Sequence, residues 1–377
     1  MSARLRLALW FAAAVLAASL LLKHFVFDVY RVDSGSMEPL IMGSREGGER
    51  VLVHYGTFRP QRFDLVVAMR PGEQRPVVKR AVALENERVQ IVSGDLVIDG
   101  RRLGISQPRP APITVLDPRP GAWVDAFHVE QPGSLERADN GAQLTANSNE
   151  AARLLLREDV HDDGFDDEAG LLRGQQSVND LLLDVEFDLS PGASAGFELT
   201  ELGDLFRVEL RPEEAGLRCE LIREGEGVLA SESVSGAKRL RLVNLDDTLV
   251  MRIDEREAKV VADVENRLDP RDVIAAGRHM LPRVRMWVRS GTLRLKNLCL
   301  QRDLYYTERG EFARTGALRL GLGECFLLGD NSAMSRDGRE WGPTPLGQIL
   351  GHPTRVVWPL SRWRPLGAPS TLEVLSR

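Results

Sequence analysis

Two serines flank a glycine in Val32-Asp33-Ser34-Gly35-Ser36-Met37-Glu38-Pro39-Leu40. On its own, Ser-Gly-Ser is ordinary turn chemistry. It also offers one attacking oxygen, with the neighbouring hydroxyl and backbone N–H groups facing a developing oxyanion, because glycine permits close backbone approach. A serine nucleophile needs a base. The histidines, His24, His54, His128, His161, His279 and His352, sit in no recognisable catalytic sequence. The alternative base is a lysine made neutral by burial, since desolvation lowers an ordinary ammonium pKa of about 10.4 by several units.

Lysines are few, and Lys79 is oddly placed. In Pro76-Val77-Val78-Lys79-Arg80-Ala81-Val82-Ala83-Leu84, a period of two puts Val77, Lys79, Ala81 and Ala83 on one strand face and Val78, Arg80, Val82 and Leu84 on the other. A charge inside such a strand is costly. The bland alternative is an edge strand whose lysine blocks aggregation. A third group follows an apolar run: Gly329-Asp330-Asn331-Ser332-Ala333-Met334-Ser335-Arg336-Asp337-Gly338-Arg339. It reads either as a polar loop or as a rigid, charge-paired scaffold that orients a buried lysine.

These groups need elements to hold them. The 377 residues are 43% apolar and 28% charged, an ordinary globular composition with length enough for two domains, which excludes disorder, collagen and coiled coil. A net charge of -6 leaves no global positive field for a phosphate backbone, so nucleic acid is not expected as a partner. The charge is uneven: Asp125 to Glu220 holds 23 acidic and 7 basic side chains, leaving +10 for the remainder. This stretch follows the proline-rich run 108–120 and reads as an insertion with a stiff entrance. Near the amino terminus, Leu7 to Leu22 carry no charge between Arg4 and Arg6 on one side and Lys23 and His24 on the other. With Phe25, Val26 and Phe27 continuing it, the segment reaches the roughly 20 residues a bilayer core needs. A cleavable secretory signal is the competing reading, and the flanking charges favour an inside amino terminus.

The order of Ser34-Gly35-Ser36-Met37, Lys79-Arg80, and Gly329-Asp330-Asn331 with Ser335, Asp337 and Arg339, behind an amino-terminal span, resembles type I signal peptidase. The resemblance covers residues 1 to 104 and 310 to 360. It implies a transmembrane helix followed by a mostly antiparallel β catalytic domain outside the cytoplasmic membrane, cutting signal peptides after small residues with a serine-lysine dyad and no cofactor or metal. Ser36 then corresponds to the nucleophile and Lys79 to the general base. Ser34 supplies a hydroxyl to the oxyanion hole beside the N–H of Ser36. Ser335 orients the lysine, Asp337 and Arg339 form the supporting ion pair, and Val32 and Val78 line the pocket for small side chains. The departures, Asp33 where most members carry proline and Ser332-Ala333 and Gly338 in place of commoner polar residues, bear on substrate preference more than on the reaction. Glu49 to Val53 and Phe63 to Val67 read as strands between the dyad members, and Gly342 to Pro359 as a strand returning to that sheet.

The fold class expected is therefore mainly β. The division is a cytoplasmic terminus (1–6), a membrane anchor (7–27), a catalytic domain in two parts (28–104 and 306–377) and an inserted β-sandwich (105–305). Inside the insertion, Leu181–Leu189, Leu205–Leu210, Leu217–Arg223, Arg239–Val243, Thr248–Ile253, Ala258–Val264, Val284–Val288 and Thr292–Leu298 are short apolar runs between turn signals. The pattern around Leu249 to Val260 resembles the hairpins of concanavalin-like jelly-roll modules. The acidic run Glu158 to Glu168 lacks EF-hand spacing and reads as a solvated loop rather than a calcium site. Cys219, Cys299 and Cys325 have no metal spacing, though one disulfide is open to them.

The expected partners are signal peptides of exported preproteins and the lipid bilayer, and no ligand is legible for the insertion. Ser36 lies 14 residues beyond Leu22. At roughly 3.3 Å per residue that keeps it within about 46 Å of the membrane. Met37 and Trp341 are candidates for a membrane-contact surface near the site. The alternative function is a membrane-anchored glycan- or protein-binding sandwich on an inactive peptidase scaffold. An autocleaving serine-lysine regulator fits less well, because no DNA-reading helix pair accompanies the dyad.

Overall fold

The computed structural model describes residues 10–11 and 27–367, apart from 45–46, 57, 73–74, 105–106, 120, 131–132, 148–149, 167–169, 202–203, 215, 247, 255 and 262–282. The expected membrane segment, 7–27, lies outside the described residues except for Trp10, Phe11 and Phe27. Among the described residues, no helix is long and apolar enough to cross a membrane. The described chain is mainly β.

One sheet carries the candidate chemistry. Its order is Phe27–Arg31, Arg50–Tyr55, Ile349–Trp358, Leu65–Met69, Pro76–Ala83, Glu324–Leu328 and Thr344–Pro345, with Arg364–Pro365 paired to Ile349–Trp358. Ile349–Trp358 thus slots between two strands from the first hundred residues, stitching together the parts of the chain on either side of the insertion. Leu65–Met69 is apolar without alternation because it is central and covered on both faces. Leu65 and Val67 join Val32, Met37, Val51 and Val356 on one face, while Val66 and Ala68 join Ala81, Cys325 and Leu327 on the other.

Pro76–Ala83 is also internal, pairing with Leu65–Met69 on one side and Glu324–Leu328 on the other. The edge-strand reading of Lys79 falls with that. A smaller sheet of Leu318–Arg319, Arg88–Val92, Asp95–Ile98 and Arg101–Arg102 closes the far end over a second core of Phe63, Val82, Ile91 and Phe326.

Residues between Ile113 and Arg302 build two further sheets. One orders Gly133–Ala138, Gly141–Ala146, Thr292–Arg302, Leu181–Leu189, Arg239–Leu245, Thr248–Ile253 and Arg256–Val261, with Ile113–Leu116 alongside Thr292–Arg302. The other orders Gly227–Val234, Gly216–Arg223, Asp204–Glu213, Ser194–Glu201, Val284–Arg289, Ala152–Leu156 and Phe127–Glu130. Inward side chains of both, among them Phe187, Leu242 and Leu295 from the first and Phe197, Val208 and Met286 from the second, share a single core. That is the arrangement of a sandwich. All three cysteines are free thiols, so the disulfide left open by the sequence does not form.

Where the sandwich meets the small sheet, carboxylates gather. Oxygens of Asp95, from the small sheet, and of Asp180 and Asp246, from the sandwich, lie within 4.8 Å of one another. Arg102 bonds Asp95 at 2.8 Å, and Arg109 pairs with Asp246 and, at 2.9 Å, with Asp303.

Candidate active site

Ser36 sits in a single tight turn, Gly35–Met37, just past the first strand. Apolar burial sets its pose: Met37, next in the chain, is wholly enclosed in the core with Ile41 and Val51. The turn is also held from behind. Asn331 donates its side-chain amide to the Gly35 carbonyl (2.8 Å) and its backbone N–H to that of Ser36 (3.1 Å). Met37 therefore cannot contact a membrane, and Trp341 is half-buried with Arg70 stacked over its ring. The exposed apolar side chains here are instead Phe27, Val29 and Trp358 in the sheet and Leu360 and Trp363 in the turn that follows it.

Lys79 reaches the same turn from the middle of Pro76–Ala83. Its Nζ donates to Ser36 Oγ at 2.5 Å, and only 2% of the residue is exposed. Loss of water pushes its pKa down to about 8, with Arg339 and Arg70 acting in the same direction and Asp337 and Asp330 against it. Ser34 Oγ lies 3.3 Å from Ser36 Oγ.

Val32 and Val78, both buried, line a cleft of about 300 Å³ that also contains Ser34, Ser36, Lys79 and Met334.

Behind the lysine stand two fully buried, bidentate ion pairs. Arg339 gives Nε and Nη2 to Asp337 at 2.8 and 2.7 Å, and its remaining donors go to the Thr307 hydroxyl (2.7 Å) and carbonyl (3.0 Å) and the Ser332 hydroxyl (2.6 Å) and carbonyl (2.9 Å). Burial alone would push Asp337 up. The guanidinium overrides it and holds the carboxyl below its usual range. Arg80 and Asp330 form the second pair at 2.8 and 2.6 Å, Arg80 also capping the Phe63 carbonyl.

Ser335 is wholly buried, yet its Oγ makes no hydrogen bond, to Lys79 or to any other group. It still lies near enough to the Asp337 carboxylate to favour its ionised form. Gly329 is needed here, since a Cβ would fall 2.2 Å from Ser335 Oγ and 2.5 Å from the Ser36 carbonyl.

The eight expected residues thus converge on one cleft and its scaffold. Reading the sequence missed Thr307 and Ser332 as the caps of Arg339, the partnership of Arg80 with Asp330, and Asn331 as the brace of the nucleophile turn. For Arg80 a signal existed, because a second charge inside an apolar strand requires a partner.

The family description "signal peptidase, peptidase S26" matches residues 4–123 and 286–358, about half of the chain and interrupted by the sandwich. The chain belongs to the signal peptidase family. Signal peptidase I of Bacillus caldolyticus is 30% identical over 143 residues, which are 37% of this chain and 73% of that protein. The probable signal peptidase I-1 of Synechocystis is 40% identical over 52 residues, 14% of this chain and 26% of that protein. A Bacillus subtilis protein of unknown function with a galectin-like fold covers 52% of this chain, at 9% identity and a TM-score of 0.36. That likeness is too loose to build on.

Proposed function

We propose that this signal peptidase family member is a membrane-bound serine endopeptidase that removes signal peptides from exported preproteins after small residues. The observation that carries this reading is the 2.5 Å contact between Ser36 Oγ and a dehydrated Lys79. When Lys79 is neutral the Ser36 hydroxyl donates to its amine. Ser36 Oγ then attacks the scissile carbonyl, its proton passes to Lys79, and the Ser34 hydroxyl with the Ser36 N–H steadies the oxyanion. The lysine returns that proton to the leaving amine. It next takes one from the water that hydrolyses the ester, freeing the signal peptide.

Val32 and Val78 set the preference for small residues. Asp337, held by Arg339, fixes the wall behind Lys79, and the unpartnered Ser335 hydroxyl is free to accept a hydrogen bond from the ammonium. Residues 7–27 anchor the chain as a single pass in the cytoplasmic membrane, with the catalytic parts 28–104 and 306–377 and the insert 105–305 on the outer face.

The test is cleavage of a secretory precursor bearing Ala-x-Ala at its junction by the detergent-solubilised full chain. Wild type cuts at the junction; Ser36→Ala and Lys79→Ala, each shown to be folded by cooperative thermal unfolding, do not. Cleavage also needs the neutral amine, so kcat/KM rises with pH to a plateau above about 8. Folded wild-type protein that leaves the precursor intact would instead favour the binding module on an inactive scaffold.

A further inference from the structure

Beside the cleft runs a second, larger groove of about 870 Å³ that the catalytic chemistry does not use. Gln175, Gln176 and Arg283 of the sandwich form one side, and Tyr305, Thr307 and Arg309 of the returning chain form another. Met334 belongs to both hollows, so the two adjoin at one side chain, itself 42% exposed. Tyr30 and Arg31, on the strand that follows the expected anchor, line the cleft and not the groove.

The sandwich and the catalytic turn are fitted closely at this point. The hairpin of Gly164–Asp166 and Gly170–Leu172 abuts Ser332–Met334: a Cβ on Gly164 would stand 3.0 Å from Asn331 Oδ1 and 3.6 Å from Met334 Cγ. Asn331 is the residue that braces the Ser36 turn. Polar bonds fix the approach from both sides. Arg302 donates to the Asp163 carbonyl (2.8 Å) and Arg309 to the Ala333 carbonyl (2.6 Å), while the Asp162 carboxylate accepts the Gln176 N–H at 2.9 Å.

We infer that the insert is the outer wall of an extended substrate groove, in which the precursor crosses Met334 and lays the first residues of its mature part between sandwich and core. This rests on the peptidase reading above. The lining decides which part of the precursor fits. Thr307, Arg309 and Arg283 are already bonded within the protein, but the side-chain amides of Gln175 and Gln176 and the phenol of Tyr305 suit a polar, extended chain, and the apolar stretch of a signal peptide would cover them without offering partners. The strand after the anchor belongs to the cleft, so the signal side enters there and the mature side leaves across Met334.

Two substrates with the same signal and Ala-x-Ala junction distinguish the outcomes, one ending two residues past the scissile bond and one carrying ten polar mature residues. With the full-length wild-type chain, the long substrate is expected to have about tenfold higher kcat/KM. Gln175→Trp, which fills the groove from an exposed position, brings that ratio close to one. Equal kcat/KM for both substrates with wild type, or an unchanged ratio in Gln175→Trp, overturns the groove while leaving the peptidase intact. Cleavage of neither substrate by folded wild type overturns the peptidase reading and this inference with it.

Discussion

The scaffold behind Lys79 and the junction between core and sandwich are both withdrawn from water, and both are built from arginines and aspartates, yet their carboxylates behave oppositely. At the scaffold each aspartate has its own guanidinium in fork geometry: Asp337 with Arg339, Asp330 with Arg80. Asp337 stays ionised below its usual range. At the junction Asp95, Asp180, Asp246 and Asp303 share Arg102 and Arg109. Burial together with neighbouring carboxylates there pushes Asp95 up to about 8 and Asp246 to about 6, with Asp180 raised well above a normal carboxyl. Burial does not by itself set protonation; the count of counter-charges within reach does. Asp337 keeps its charge at working pH, and the junction gains charge as protons leave.

The comparison breaks most visibly at Arg339. Arg339→Met leaves Asp337 buried without its cation and should cost about 3–5 kcal/mol in urea unfolding; a loss below about 1 kcal/mol would mean that water reaches the pair.

Next in size is Lys79→Met. The lysine is lowered from 10.5 to about 8 in the folded chain, so its protonated form opposes folding below pH 8 and that penalty fades between about 8 and 10.5. The variant should therefore be the more stable protein at pH 6, by on the order of 3 kcal/mol less the lost hydrogen bond, and should lose that advantage near pH 10.5. Thermal midpoints at the two pH values check it, and equal midpoints at pH 6 would remove the dehydrated lysine.

The smallest effect belongs to the junction. Asp95 is raised in the folded state, so its contribution is complete below the unfolded carboxyl pKa near 4 and declines as pH rises to about 8. Asp95→Asn should flatten part of that decline, and only part, since Asp180 and Asp246 share the protons. A midpoint-against-pH slope unchanged by the substitution would show the cluster to be no more than paired surface charge.

Much of the site was legible because its chemistry is local. Ser36, Lys79 and the run Asp330 to Arg339 each stand out against their surroundings, and an apolar strand with a lysine in it can be recognised before its neighbours are known. In the sandwich, Thr248–Ile253 and Leu181–Leu189 were bounded as found, because dense β-branched and leucine runs end in turn residues. Ser194–Glu201 was overlooked: its opening serine, alanine and glycine look like loop, and it is a strand because Val284–Arg289 and Asp204–Glu213 bind it on both sides. Gly227–Val234 was overlooked for the opposite reason, being a largely solvated edge. Within the acidic run, Asp159 and Asp162 are less solvated than expected, since Asp159 pairs with Arg283 and Asp162 caps its own loop. Nothing local announces Thr307, whose role depends on a chain returning from the sandwich to meet Arg339.

The central claim is that dehydration turns Lys79 into a base, and its ionisation is directly measurable. The chain has only five lysines, so carbon-13 labelling of their ε positions gives an NMR titration with few signals, and loss of one in Lys79→Met assigns it. The predicted midpoint for Lys79 is about 8. A Lys79 signal that titrates near the ordinary lysine value of about 10.4 would contradict the account.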